Sequence, residues 1–227
     1  MYAVLLALGL AALSAVLAGP LLRWCPVPTE AWTDTDPDLI AANFGALLGP
    51  RFRWTVFIAS LSAGALAFAV LPGHLWAVWA PLVVLGPVLA VVDLQTTFLP
   101  SRIVYLGIAL ALLGASWAAW AQASWQPLLN AVGGSLSATA FFWLLWRLSG
   151  GQLGFGDVRL AGFIGMACGT SGPQAVWQAL LLGTLVGAAW GLITRWRRGS
   201  DGAFPYGPAL LFGPGLWLLL SWLSRLW

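Results

Sequence analysis

The sequence predicts an all-α integral membrane protein, a polytopic bundle of about eight transmembrane helices with both termini outside. Three observations predict it. Of 227 residues, 60% are hydrophobic and only 7% charged, where soluble chains carry about 25% charged residues. Apolar runs of spanning length, about 17–25 residues each, recur along the chain between short polar breaks. Finally, eight spans place nine of the ten arginines on one side, which the positive-inside rule makes the cytoplasmic side.

The runs follow in order. The first covers Tyr2–Leu22, with its earliest basic residue, Arg23, after the apolar stretch. That order lacks the basic start of a secretory signal and points to an uncleaved first helix with its N-terminus outside. A polar segment over 23–54 is expected to be a cytoplasmic loop, and it holds Glu30, Asp34, Asp36 and Asp38. The second helix is expected over Thr55–Leu71. The third covers Leu75–Val92, where Pro81 and Pro87 should kink it by removing backbone donors. The fourth is Ile103–Ala121 and the fifth Leu128–Trp146. The sixth, Val158–Ser171, is short for a full span. The seventh, Ala175–Thr194, carries Gly183, Gly187 and Gly191 at four-residue spacing, a face suited to close helix packing. The last is Ala209–Leu226. Arg23, Arg51, Arg53, Arg102, Arg147, Arg159, Arg195, Arg197 and Arg198 then share a side, and Arg225 alone faces the other. Tryptophans near helix ends (Trp24, Trp54, Trp76, Trp125, Trp146, Trp196, Trp222) fit interfacial belts.

With seven acidic residues, each can be weighed. The segment DTDPD mimics the start of a calcium loop. Leu39 stands where that loop needs glycine, however, and Gly45 where it needs glutamate, so calcium is rejected. Asp201 lies in a Ser-Asp-Gly turn, which explains it. Asp93 and Asp157 are left, both at the cytoplasmic end of the expected bundle. Asp157 follows the glycine-rich GGQLGFG stretch, and the simplest reading makes it the N-cap of a helix starting at Val158. The alternative is that the two acids meet. Close carboxylates cannot both ionise cheaply and share a proton, and such a pair can activate water while the partner protonates a carbonyl oxygen or leaving amine. Cys25 and Cys168 are read as free thiols, too few for a disulfide framework or a four-thiolate zinc site. His74, the single histidine, falls on the opposite face from both acids.

Three segments carry a resemblance. Asp93-Leu94 followed by Leu99-Pro100 resembles the D-x-x-x-x-x-(I/L)-P-N element of type IV prepilin leader peptidases. Gly154-Phe155-Gly156-Asp157-Val158-Arg159-Leu160 is similar to their G-x-G-D-x-K-L element, which names the GxGD class of membrane aspartic proteases. Phe204-Pro205-Tyr206-Gly207-Pro208 is similar to their P-(F/Y)-G-P element. The resemblance implies a single membrane peptidase domain over 1–227 with its catalytic core over 85–213. It implies an inner-membrane aspartic endopeptidase that removes the short basic leader of prepilins or pseudopilins on the cytoplasmic side, after a glycine. Asp93 and Asp157 would be the catalytic carboxylates. Pro100, Gly154, Gly156, Arg159, Pro205, Gly207 and Pro208 would shape the site or bind substrate. No nucleic-acid partner is expected.

The sequence departs from the family at Ser101, usually Asn, and at Arg159, usually Lys. Many members hold zinc through two C-x-x-C pairs after the first helix. Here that loop offers only Cys25-Pro26-Val27-Pro28, so no metal is expected. S-adenosylmethionine enters only if the N-methyltransferase activity of many members is retained. A non-enzymatic transporter or assembly scaffold is the competing class, but paired repeats and broken helices near the midplane are not evident.

Overall fold

In a computed structural model, residues 2–25, 47–150, 153–198 and 205–225 are described, and all regular structure among them is helical. The helices are α1 (Tyr2–Trp24), α2 (Pro50–Val70), α3 (Trp76–Thr96), α4 (Ser101–Ala121), α5 (Gln126–Leu148), α6 (Phe155–Gly169), α7 (Pro173–Arg198) and α8 (Gly207–Leu223), with a 3-10 turn at Gly73–Leu75. Each expected run becomes one helix. Six of the eight are long and apolar enough to cross a membrane, and α8 is a shorter apolar helix. The chain is an all-α polytopic membrane protein. The acidic cluster from Glu30 to Asp38, most of the expected loop, and Asp201 lie outside the described residues.

The boundaries move in ways that matter. Helix α3 runs four residues past Val92, so Asp93 sits within its last turn. Helix α6 starts at Phe155 rather than Val158, which overturns the N-cap reading: Gly154 is the cap and Asp157 stands in the first turn. Pro208 draws the start of α8 back to Gly207, since proline suits the first helical turn. With no breaker before Gly199, α7 continues through Arg198.

Two helices form the interior. Every residue of α6 from Asp157 to Gly169 is buried except Arg159, and α3 is buried along most of its length. Around them, α1 packs on α2, α4 on α3, α5 on α6, and α7 on α8. Backbone polar groups in lipid must find partners inside the protein, and α3 shows how. Pro87 removes the donor that would serve the Val83 carbonyl, and Ser60 of α2 donates its hydroxyl to that oxygen at 2.6 Å instead. Ser14 of α1 donates to the adjacent Val84 carbonyl at 2.6 Å. Pro81 and Pro87 both lie inside this one continuous helix.

Glycines bring neighbouring backbones together. A Cβ on Gly134 of α5 would run into the Gly165 carbonyl and lie 2.9 Å from the Gly169 Cα. On α7, Gly183 lies against the Leu210 backbone and Gly187 under the Tyr206 ring, whereas Gly191 faces open space. The small face therefore works over two of its three glycines. Of the end tryptophans, Trp24, Trp54, Trp125, Trp196 and Trp222 are exposed. Trp76 instead donates its indole N–H to the Leu71 carbonyl at 3.0 Å, and the Trp146 ring packs on Phe155 at 5.1 Å.

Long-range contacts order the two ends of the bundle. Arg102 donates to the Trp24 carbonyl at 2.7 Å, joining the start of α4 to the end of α1. At the other end, Arg225 donates to the Val70 carbonyl at 3.0 Å.

Adjacent glycines on α5 provide a stability test. Gly133→Ala, whose Cβ meets nothing within 4 Å, should be neutral or stabilise by up to about 1 kcal/mol. Gly134→Ala should destabilise by about 1–3 kcal/mol. Thermal unfolding of both in detergent checks the contrast.

Candidate active site

The two acids arrive from the two enclosed helices. Asp93 is 4% exposed and Asp157 6%, and Asp157 lies close enough to feel the Asp93 charge. Carboxylates removed from water this far need donors, and each receives one from a helix N-terminus. The Gly207 N–H at the start of α8 donates to Asp93 Oδ2 at 3.0 Å. The Gly154 N–H, ahead of α6, donates to the Asp157 carboxylate. This second bond is the reach-back of a third-position acid onto its N-cap. The capping idea therefore survives in altered form, and it does not keep the acids apart.

Leu99 packs against the glycines next to both acids. A Cβ on Gly156 would come within 2.9 Å of the Leu99 Cβ, and one on Gly207 within 3.2 Å of Leu99 Cδ1 and 2.9 Å of Asp93 Oδ2. The three sequence elements thus meet around one buried leucine. Its position follows from the α3–α4 connection. Thr97 takes a left-handed conformation, φ 52°, and ends α3. Pro100 caps α4, accepting from the N–H of Ile103 at 3.1 Å. Pro100 is therefore a positioning element, and so is Pro208 in the first turn of α8. Pro205 lies just ahead of that helix and is half-buried.

Arg159 is placed differently from the rest. Residues two apart on a helix point about 200° apart, and its guanidinium lies over the rings of Phe155, at 4.7 Å, and Tyr105, at 5.7 Å. It packs on the outer side of α6, away from the face carrying Asp157.

Sequence reasoning assigned no role to Leu99, Tyr206 or Thr184. Tyr206 lies within electrostatic reach of Asp157 and shares a side-chain hydrogen bond with Thr184 of α7. Gly187, one turn from Thr184, makes room for the ring. The usable signal was the glycine spacing on α7, which marks where a ring or a backbone approaches.

The residues do not fit the four-thiolate zinc site that the resemblance implies for many relatives. Cys25 stands at the α1 end, and burial pushes its thiol above the ordinary range despite nearby Arg102. Cys168 is fully buried eleven residues beyond Asp157, about 16 Å along α6. Among the described residues no three His, Cys, Asp or Glu side chains gather. His74 lies in the turn before α3, about 26 Å along that helix from Asp93. The arrangement brings two buried carboxylates within electrostatic reach of one another.

Comparison with known proteins adds the following. Residues 80–192, which include both acids, match the type IV leader peptidase family. The chain is 29% identical over 185 residues to a prepilin leader peptidase/N-methyltransferase of Pseudomonas aeruginosa, covering 80% of this chain and 60% of that protein. It is 30% identical over 173 residues to one of Burkholderia pseudomallei, covering 71% and 54%. It is also 31% identical over 134 residues to one of Xanthomonas campestris, covering 58% and 45%. The chain thus spans only about half to three fifths of the length of the first curated relatives it matches. No solved structure matches it.

If Leu99 holds the elements together, Leu99→Ala should cost about 2–5 kcal/mol, the range for emptying a buried leucine site. Thermal unfolding in detergent measures it, with the exposed Leu113→Ala as a control expected near zero.

Proposed function

Through residues 80–192 the chain belongs to the type IV leader peptidase family, and from that premise we propose that it is a membrane aspartic endopeptidase. Its substrates are prepilins or pseudopilins, from which it removes the short basic N-terminal leader. It sits in the inner membrane with the acid pair facing the cytoplasm, the side to which its arginine-bearing helix ends point under the positive-inside rule. The observation that carries this reading is the burial of Asp93 and Asp157 where the three sequence elements converge on Leu99 and the Gly207 N–H.

The chemistry needs the two acids in different protonation states. One carboxylate takes a proton from water as the water oxygen bonds to the scissile carbonyl carbon. The partner acid donates its proton to the carbonyl oxygen. Collapse of the tetrahedral intermediate breaks the C–N bond, and the leaving amine takes a proton from the pair. Gly207 and Gly154 keep the two carboxylates oriented through their N–H groups, and burial excludes bulk water from competing. N-methylation of the new terminus is a separate activity. The residues gathered here supply hydrolysis without it.

Asp93→Asn and Asp157→Asn should each reduce cleavage at least about 10³-fold, in keeping with the loss of an acid–base group, while the protein stays folded in membranes. Co-expression with candidate prepilins checks this by mass spectrometry: a mass loss equal to the leader is expected with the parent chain and not with either variant. Processing retained by either one sinks the proposal. The same spectra read methylation as an added methyl mass.

A further inference from the structure

Beside the acid pair, α2, α3 and α8 line a partly open groove of about 450 Å³. Its lining is apolar except for Ser62, whose hydroxyl is already bonded to the Ile58 carbonyl at 2.9 Å, and the indole of Trp79. Trp79 is 2% exposed, and its N–H has no acceptor. The groove runs along α3 from Trp79 to Ala90, about 16 Å or three helical turns. One end abuts the catalytic pair: Ala90 lies one turn from Asp93, and Pro208 follows Gly207, whose N–H holds Asp93.

We infer that this groove seats the apolar, helical, membrane-embedded part of the substrate, the segment that follows the scissile bond. The inference rests on the protease reading above and adds where the substrate lies. Polypeptide in hydrocarbon must be helical to satisfy its own backbone. The walls suit a helix, because Ala59, Ala63 and Ala67 on α2 and Gly86 and Ala90 on α3 stand at four-residue spacing, the pattern of close helix contacts. Continuity with Asp93 decides between a substrate and a lipid chain or a second copy. A helix lying in the groove and leaving it past Pro208 delivers its next peptide bonds to the acids, while the polar leader stays on the aqueous side.

Two substrate probes and two variants test this. Both probes carry a prepilin leader and its scissile bond. One continues as a 20-residue Leu/Ala helix reconstituted in vesicles, the other as a soluble Ser/Gly segment of equal length. Gly215→Trp and Ala59→Trp each place a ring in the groove. Gly215 has open space where its Cβ would go, and Ala59 is exposed, so both should fold. The expected result is at least a tenfold rise in KM for the helical probe, with cleavage of the soluble probe within twofold of the parent. In the parent chain, a photo-crosslinker at Leu211, another lining residue, should capture the helical probe. Unchanged KM in both variants, or crosslinks to lipid or to a second copy alone, overturns the docking site and leaves the protease standing. If the parent cleaves neither probe, the protease reading falls, and this inference falls with it.

Discussion

The bond from the Gly207 N–H to the Asp93 carboxylate is the constraint on which the rest of the site depends. A carboxylate at this depth in an apolar bundle is costly, and the positive end of a helix is among the few groups that offset the cost without adding another charge. The arrangement has a counterpart on α6, where Asp157 is held by the N–H preceding its own helix. Both acids are therefore anchored by helix N-termini, one belonging to its own helix and one borrowed from α8. With anchors on separate helices, the pair is as well ordered as the contact between those helices.

Glycine makes that contact possible. At Gly156 and Gly207 any side chain would enter space held by Leu99 or by the Asp93 carboxylate. At Gly134 and Gly165 the backbones of α5 and α6 come close enough to seat the short α6 between its longer neighbours. Without a hydrophobic driving force between helices in lipid, such close packing supplies much of the association energy. A 15-residue helix rises about 22 Å, less than the roughly 30 Å hydrocarbon core. Enclosure by neighbours lets it sit at membrane depth all the same.

Much of this was legible in the chain. Hydropathy gave every helix, because spanning length is set by the bilayer rather than by tertiary detail. The pairing of Asp93 with Asp157 could be posed from topology, since alternating spans put both at one end. Helix starts were less legible. Val158 looks like the first residue of α6 because the preceding glycines suppress the apolar signal, yet Phe155 and Gly156 already belong to it. The role of Leu99 was hidden because Leu99-Pro100 stands out as a family element without saying what the leucine touches. Only the approach of α6 and α8 gives it meaning. Arg159 misled in the opposite sense: its place beside Asp157 in sequence becomes the far side of the helix in space.

The partner that steadies Asp93 lies 114 residues further along the chain. Translation delivers the acid-bearing α3 early and the N–H that orients its carboxylate only when the last described helix arrives. Until α8 inserts, Asp93 lacks its donor and Leu99 lacks its contact with Gly207. A half-made chain therefore carries both acids before the N–H that orients Asp93 exists, and that carboxylate takes its final setting only once α8 has joined the bundle.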